Sequence, residues 1–382
     1  MERKFNILTI FVFMCMISLP WIFAHREKEG RVSSMENRRL AGYPAIRTEE
    51  GGFNRDYIAQ YENWLKDNLR GRTVIVEADA TLQYQLFRRI VKEDTMSGKS
   101  DWLFVRDDEM IREHQRLNLM PDAALTRYAA GMQGISDYLE DREIAFYYLQ
   151  CYSKEEIYPD QYLDGVCRTG TLSKADQIVK ILQENTDVDQ ILVKEALTAR
   201  ADELLYFQYV DSLHWNERGS FLGYQILMND IHGDFAEVPV LEEKDFKITE
   251  EERSVDLYGF TYPYTEMCPV YQVKEPMARE ITSETKERWD FLHYKEHTHV
   301  YSNENCTNDM KILILGDSFI RMFLKDDIAE SFRETLSIDW LNIPILDEVV
   351  EEFEPDIVVI ESAQSALKDT VGLISESDLA RN

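Results

Sequence analysis

Two short stretches of the sequence carry the residue types that nucleophilic acyl transfer requires. The stretch "KILILGDSF" places a glycine, an aspartate and Ser318 directly after an apolar run. The stretch "VDSLHWN" contains Asp211 and, three residues later, His214. A serine hydroxyl becomes a nucleophile when a histidine takes its proton and a carboxylate orients that histidine. Because such triads are defined by geometry and occur in several chain orders, the sequence predicts a site built from Ser318, His214 and Asp211.

Several other residues are candidates for a supporting role. Lys154 follows an apolar run, and is either an exposed lysine or a cation that lines the site. Trp215 and Arg321 lie close in sequence to the predicted histidine and serine, and are further candidates for substrate contact or support. Taken alone, His214 beside Trp215 is typical of a packed histidine. Only its combination with Ser318 favours the triad.

A run of histidines, His293, His297 and His299, raises the question of a metal site. No carboxylate cluster at ligand spacing completes such a site, and the cysteines form no C-x-x-C pair. The sequence therefore favours a loop hairpin over a metal centre here, and it implies no cofactor.

The pattern of apolar runs predicts the elements that position these residues. Three unbroken apolar stretches are typical of strands buried on both faces of a parallel sheet, at 144–153, 310–319 and 356–363. Helical patterns occur between and around them, at 123–144, 173–185, 220–231 and 326–336. Strands that alternate with helices predict an α/β fold with a parallel sheet, in which Ser318 follows the carboxyl end of a central strand.

The N-terminus differs in character from the rest of the chain. Arg3 and Lys4 precede an apolar run from Phe5 to Ala24, and a helix of that length spans about 30 Å, enough to cross a bilayer. The basic residues favour a cytoplasmic N-terminus, with the remainder of the chain outside the cell membrane. A cleaved signal peptide is the alternative, although the bulky Ile22 does not fit its cleavage pattern. We expect a transmembrane signal anchor over 1–24, a stalk with N-terminal helices over 25–95, and a catalytic domain over 96–382.

Charge and cysteine content narrow the choice of partners. The chain has 42 Lys and Arg against 71 Asp and Glu, a formal net charge of −29. A field of this sign repels polyanions, so nucleic acid is a poor candidate, and an anionic polymer would need a local basic groove. Four cysteines follow the predicted anchor, in a compartment where disulfides persist; the three possible pairings stay open, among Cys151, Cys167, Cys268 and Cys306.

The same stretches resemble a known family. "GDSF" and "DSLHWN" are similar to the nucleophile and Asp–His blocks of SGNH hydrolases. Their order, with Asp–His first, resembles the AlgX/AlgJ group of alginate O-acetyltransferases and its DHHW-type relatives. Other stretches have counterparts there in the same order: "MENRRLAGYP" (35–44), "FNRDYIAQYENWLKDNLRGR" (53–72), "GKSDWLF" (98–104), "KEEIYP" (154–159) and "FEPDIVVIES" (353–362). The resemblance implies an SGNH-hydrolase-like, flavodoxin-like sheet flanked by helices, with an N-terminal anchor and a helical extension.

One position departs from the family pattern. The family has Asp-x-His-Trp where this chain has Asp211, Ser212, Leu213, His214 and Trp215. Strict alignment would put Ser212 in the acid position. The wider SGNH pattern, Asp-x-x-His, fits Asp211, and we assign the role to Asp211.

The resemblance also implies a reaction. Ser318 would take an acetyl group from a donor as an acetyl-serine and pass it to a sugar hydroxyl, with His214 as base and then acid. Family members act outside the cytoplasm on a polysaccharide, with a multispanning membrane acyltransferase that delivers the acetyl group. A polysaccharide acetyl-esterase is one alternative. A non-catalytic polysaccharide-binding or scaffold member of a secretion complex is the other.

Overall fold

The chain forms two compact units. The computed structural model describes residues 9–14, 18, 32–33, 38–48, 51–68, 72–257, 260–377 and 379. One unit comprises Met1–Glu93 with Val255–Pro263, and the other comprises Asp94–Ser254 with Tyr264–Asn382. All of the predicted site residues belong to the second, larger unit.

The described part of the smaller unit includes a short antiparallel ladder followed by two helices. The ladder joins β1 (Val32–Ser33) to β2 (Arg38–Arg39), and the helices are α1 (Tyr57–Asn68) and α2 (Arg72–Phe87). Trp64 of α1 is buried, with its ring centroid 4.9 Å from that of Tyr43. An aromatic side chain therefore fixes α1 against the extended segment that precedes it.

Most of the predicted anchor over 1–24 lies outside the described residues. Within it, residues 9–14 are described and are helical. Within the part of the chain that the structure describes, no helix combines the length and the apolar character needed to cross a bilayer. The first part of the predicted stalk, up to residue 31, also lies outside the described residues.

The larger unit is an α/β domain. Its strands are β3 (Thr95–Ser97), β4 (Leu103–Val105), β5 (Ala145–Cys151), β6 (Asp189–Ile191), β7 (Phe246–Arg253), β8 (Glu266–Val273), β9 (Arg279–Glu280), β10 (His299–Ser302), β11 (Lys311–Gly316), β12 (Glu334–Asp339) and β13 (Ile357–Ala363). Its helices are α3 (Asp108–Gln115), α4 (Asp122–Glu140), α5 (Lys154–Ile157), α6 (Lys174–Asn185), α7 (Lys194–Ala199), α8 (Glu217–Asp234), α9 (Ser318–Phe323), α10 (Lys325–Ala329), α11 (Leu346–Phe353) and α12 (Leu367–Glu376).

The main sheet of the described chain has seven strands, in the order β6-β5-β13-β11-β12-β10-β9. The strands from β6 to β12 are parallel, whereas β10 and β9 join antiparallel at one edge. The sheet is therefore mostly parallel, and the prediction of a parallel sheet needs this correction. The central strand β11 is buried from Ile312 to Gly316, which explains its unbroken apolar run.

One predicted helix is wrong in its second half. The pattern at 326–336 predicts a single helix, but α10 ends at Ala329 and β12 begins at Glu334. The segment pairs with β11 on one side and β10 on the other, and Leu336 and Ile338 are buried there. The local pattern fits either a short helix or a strand, and pairing with strands on both sides favours the strand. The other three predicted helices correspond to α4, α6 and α8.

Candidate active site

Ser318 follows the carboxyl end of the central strand. β11 ends at Gly316, the Asp317 side chain caps α9, and Ser318 is the first residue of that helix. A Cβ on Gly316 would stand 2.6 Å from Ile320 Cγ1 and 3.0 Å from Glu361 Oε2, so the close approach of these groups favours glycine at the turn. The first N–H groups of a helix lack an acceptor within the helix, and Ser318 is the first residue of α9.

Asp211 and His214 meet Ser318 from a separate loop that precedes α8. His214 Nε2 lies 2.7 Å from Ser318 Oγ, and His214 Nδ1 lies 2.9 Å from Asp211 Oδ2. The other carboxylate oxygen, Asp211 Oδ1, accepts the N–H groups of Leu213 and His214 at 2.6 and 2.7 Å. The structure therefore brings the three predicted side chains into one hydrogen-bonded line.

Asp211 is held as an anion beside His214. Burial raises the pKa of this carboxyl, but the hydrogen bond and charge of His214 and the charge of Lys154 outweigh burial, and the pKa lies well below its usual range. With Asp211 ionised, Nδ1 carries the imidazole proton, and Nε2 is left to accept the Ser318 hydroxyl. The hydrogen-bonding partner of the imidazole is the Asp211 carboxylate, the residue to which the acid role was assigned over Ser212.

Aromatic rings pack around the imidazole. The ring centroids of Phe319 and Phe323 lie 4.9 and 5.7 Å from that of His214. Trp215 is completely buried beneath Phe319, at 5.2 Å between centroids. Of the two roles that the sequence left open for Trp215, substrate contact or support, its burial favours support from within the core.

Lys154 is completely buried, so the interpretation of an exposed lysine is wrong. Its ammonium donates to the backbone carbonyls of Leu103, at 2.9 Å, and Asp211. Burial lowers the pKa of Lys154 to about 8, while the carboxylates of Asp211 and Glu266 act in the opposite direction. Lys154 lies inside the site wall, where it holds the backbone of the triad carboxylate.

Glu266 holds the preceding part of the same loop. Its Oε2 accepts the N–H groups of Gln208 and Tyr209 at 2.6 and 3.2 Å. Burial raises the pKa of Glu266, although the hydrogen bond from Gln208 and the charge of Lys154 oppose it. The sequence analysis missed this residue because β8 lies far along the chain, in a stretch without a recognisable motif.

A second buried carboxyl lies beneath the Ser318 turn. Glu361 of β13 is completely buried, and its Oε2 accepts the Asp317 N–H at 2.9 Å. Asp317 Oδ2 in turn accepts the Ala363 N–H at 3.1 Å. Burial raises the pKa of both carboxyls, and the charge of Asp317 raises that of Glu361 further. The raised pKa of Glu361 favours its protonated form, and the hydrogen bond that it accepts from the Asp317 N–H fixes the backbone that presents Ser318. The quoted stretch "FEPDIVVIES" contained it, but an acid within an apolar run was the only signal.

Arg321 is paired with an acid that the sequence analysis missed. Its Nη1 lies 3.6 Å from Oδ2 of Asp339, which also contacts His297 Nδ1 at 2.7 Å. Asp339 is the last residue of β12 and pairs in register with Gly316. The acid therefore stands at the same edge of the sheet as Ser318, in a segment whose helical pattern concealed the strand.

The histidine run and the cysteines form no composite site. His297 contacts Asp339, and His299 contacts Glu280 at 2.9 Å. Among the described residues, no group of three His, Cys, Asp or Glu side chains is arranged to hold a metal ion. Of the cysteines that the structure describes, four have free thiols, of which two are buried, one is half-buried and one is exposed: Cys151, Cys268, Cys306 and Cys167.

A family model matches more than half of the chain. The model describes an SGNH hydrolase-like domain, acetyltransferase AlgX, and it matches residues 95–291. The chain belongs to this family. The matched region includes Asp211 and His214, whereas Ser318 lies beyond it. The resemblance to AlgX-type proteins that the motifs predicted is confirmed.

Solved structures share the fold at low sequence identity. Bacillus cereus PatB1 with a sulfonyl adduct has a TM-score of 0.55 at 17% identity, over 73% of this chain and 97% of that chain. A second PatB1 structure has a TM-score of 0.50 at 16% identity, over 72% and 96%. The O-acetyltransferase domain of Pseudomonas putida AlgJ has a TM-score of 0.44 at 13% identity, over 75% and 95%. No curated protein matches the chain. The PatB1 structures support the α/β fold with helices on a mostly parallel sheet.

Proposed function

We propose that this chain transfers acetyl groups to hydroxyls of an exported or cell-surface polysaccharide, through an acetyl-serine at Ser318. The observation that carries the proposal is the hydrogen-bonded line from Ser318 Oγ through His214 to Asp211 Oδ2. Such a line activates a serine for attack on a carbonyl carbon. Membership of an acetyltransferase family favours acetyl as the group transferred.

In the first half-reaction, His214 Nε2 takes the proton of Ser318 as Oγ attacks the acetyl carbonyl of the donor. The bond between the acetyl carbon and the donor's leaving atom then breaks, and the leaving group takes the proton from Nε2. Asp211 stabilises the imidazolium in between, because its carboxylate already accepts Nδ1–H.

In the second half-reaction, a sugar hydroxyl occupies the place of the leaving group. His214 Nε2 takes its proton, the sugar oxygen attacks the acetyl carbon, and Ser318 Oγ leaves with the proton returned from Nε2. The Ser318 N–H at the start of α9 is a suitable donor to the developing oxyanion. Glu361 and Asp317 keep that N–H in place through the turn.

The proposed site of action is outside the cytoplasm, where the polysaccharide is found. The apolar run after Arg3 and Lys4 supports a single-pass anchor that leaves the catalytic domain on that side. A multispanning membrane acyltransferase that supplies the acetyl donor is part of the proposal, since the acetyl group has to cross the membrane before Ser318 can receive it.

The test follows the acetyl group by mass. Protein is mixed with p-nitrophenyl acetate, first alone and then with an oligosaccharide acceptor, beside Ser318→Ala. We expect wild-type protein to gain the mass of one acetyl group at Ser318 and to lose it as acetylated sugar appears, whereas Ser318→Ala gains none. Acetate release without acetylated sugar at saturating acceptor would mean an esterase. Failure of the wild-type protein to form the acetyl-serine would contradict the mechanism and favour a binding or scaffold role.

A further inference from the structure

A cavity lies at the antiparallel edge of the main sheet. It has a volume of about 520 Å³ and is lined from Glu280 of β9 to His299 of β10, including parts of the segment between these strands. Its volume falls in the range of about 300–1,000 Å³ that is usual for small-molecule sites. The mechanism above uses none of these lining residues.

The cavity and Ser318 lie at the same end of the strands, the end at which the parallel strands have their carboxyl termini. His299, at the start of β10, pairs with Ser337 of β12, and Asp339 two residues further on pairs with Gly316 of β11. Only β12 separates β10 from β11, so the two strands lie about 10 Å apart across the sheet. A polymer whose hydroxyl reaches Ser318 can therefore extend along this end of the sheet towards the cavity.

His299 offers an acceptor in the cavity wall. Its Nδ1 contacts Glu280 Oε1 at 2.9 Å, and the Thr282 hydroxyl donates to the same oxygen at 2.8 Å. Burial raises the pKa of Glu280, but the hydrogen bonds of His299 and Thr282 outweigh it and lower the pKa overall. Glu280 Oε1 is an acceptor for Nδ1–H, and in the tautomer with the proton on Nδ1 the other nitrogen, Nε2, is left to accept a ligand hydroxyl.

Lys286 supplies a donor on the same wall. It is exposed, lines the cavity, and makes no salt bridge within the described part of the chain. Its ammonium has three N–H donors and no acceptor, which complements the acceptor nitrogen of His299. Sugar hydroxyls act as donors and acceptors together, so they match a wall that contains both.

Two further polar side chains, Trp289 and Thr298, belong to the wall of the cavity. Trp289 Nε1 and Thr298 Oγ1 are buried and have no hydrogen-bond partner among the described residues. Both atoms have almost no accessible surface, so they form part of the wall and do not contact a ligand directly.

We propose that this cavity binds a sugar residue of the acceptor polysaccharide, further along the same polymer chain than the residue that Ser318 acetylates. The inference rests on the proposed function, and it specifies the class of acceptor. An anionic polymer would need a basic groove to overcome the net charge of −29, and the cavity is not one, because Glu280 and Glu296 line it beside Lys286 and Lys295. The acceptor is therefore an uncharged or amine-bearing polysaccharide.

The test measures sugar binding in the full chain carrying Ser318→Ala, in which no acetyl-serine forms. The probes are three hexasaccharides, cellohexaose, a chitosan hexamer and an oligogalacturonate, titrated by calorimetry. We expect cellohexaose or the chitosan hexamer to bind and the oligogalacturonate not to bind. We expect His299→Ala and Lys286→Ala each to weaken binding about two- to tenfold, the effect of one hydrogen bond.

Matched controls come from the same chain. His232→Ala removes an exposed histidine whose Nδ1 is also bonded, here to the Val238 carbonyl at 2.7 Å. Lys180→Ala removes an exposed lysine of α6. Neither residue lines the cavity, and both variants should bind the sugar as the parent protein does.

A second measurement separates this inference from the proposed function. The cavity variants are made with Ser318 intact, and acetylation of Ser318 by p-nitrophenyl acetate is measured without sugar. Cavity variants that form acetyl-serine normally but transfer it poorly to the hexasaccharide support both. If none of the three probes binds, or if the cavity variants bind as the parent does, the inference is wrong even where acetyl-serine forms. If binding depends on the cavity but no acetyl-serine forms, the sugar site stands and the transferase mechanism is wrong.

Discussion

The turn around Asp211 explains how the triad tolerates one more residue between acid and histidine than the family pattern has. One carboxylate oxygen accepts the backbone N–H groups of Leu213 and His214, which folds the loop back on itself. The other oxygen is then placed on Nδ1 at 2.9 Å. The longer spacing is accommodated by the backbone, and the side chains keep the contacts that a serine nucleophile needs.

The first prediction concerns this acid. Asp211→Asn keeps the size of the side chain but no longer fixes the tautomer or stabilises the imidazolium, and the equivalent loss in a serine protease lowers turnover about 10⁴-fold. Ser212→Ala should be nearly neutral, because a hydroxyl cannot supply that charge. Ser318→Ala and His214→Ala should be at least as damaging as Asp211→Asn, since a triad acts as a unit. Acetyl transfer by the four variants, each with an unchanged melting transition, tests the assignment. Full activity of Asp211→Asn would remove Asp211 from the site.

The second prediction concerns the protonated acid beneath Ser318. The raised pKa of folded Glu361 means that the folded protein keeps a proton which the unfolded chain releases above about pH 4.3. Stability therefore falls as pH rises from that value towards the folded pKa. Glu361→Gln has no such proton and keeps a donor and an acceptor in place. We expect its melting temperature relative to wild type to rise from about pH 4 to about pH 8, with activity retained. Glu348→Gln, at an exposed position of α11, is the control without such a trend. A difference that shrinks with pH would show that Glu361 is ionised in the folded protein.

At the scale of elements, the apolar runs of β5, β11 and β13 predict the centre of the sheet, because strands that are buried on both faces are apolar along nearly their whole length. The side of the sheet formed by β12, β10 and β9 could not be predicted from apolar runs. β12 and β10 owe their conformation to pairing across the sheet, and their local patterns fit other structures equally well. The residues of the candidate site also differ in whether a local motif marks them in the sequence. Residues in compact motifs, such as Ser318 and His214, were found, whereas Glu266 and Asp339 act through contacts between distant segments.

The third prediction concerns the loop that carries the triad acid. Lys154→Met removes the donor to the Asp211 carbonyl and leaves that carbonyl and the Leu103 carbonyl without it. Loss of a hydrogen bond from a charged group is worth about 1.5–3 kcal/mol, so we expect kcat to fall about ten- to a hundredfold. KM for a small acetyl ester should change little, because Lys154 is buried behind the reacting atoms.

A matched variant separates positioning from general stability. Lys194→Met removes a half-buried lysine that pairs with Glu156 and Asp176 at 2.8 and 2.7 Å. It should lower the melting temperature while leaving kcat at permissive temperature near the wild-type value. Equal losses of kcat in both variants would mean that Lys154 acts only through overall stability.

At the scale of the whole molecule, the apolar N-terminus supports the proposed location. An enzyme with the proposed function needs a route across the membrane, and an apolar segment of this length could supply both the route and the attachment. Arg3 and Lys4 before the apolar run favour retention of the N-terminus inside. The larger unit, which carries the triad, would then face outward.

The last prediction uses a native thiol to test that orientation. Cys167 is exposed, whereas Cys151 and Cys268 are buried in the core of the larger unit. In intact cells that express the full chain, after treatment with a membrane-impermeant reductant, an impermeant maleimide should label the protein without lysis. Cys167→Ser should remove most of that label, because Cys167 is the exposed thiol among those described. The half-buried Cys306 accounts for any label that remains, and the buried thiols react only when the protein unfolds. A cytoplasmic protein of known location serves as the check that the cells stay sealed. If Cys167 becomes labelled only after lysis, the larger unit lies in the cytoplasm, and neither an exported polysaccharide nor an acetyl donor presented across the membrane can reach Ser318.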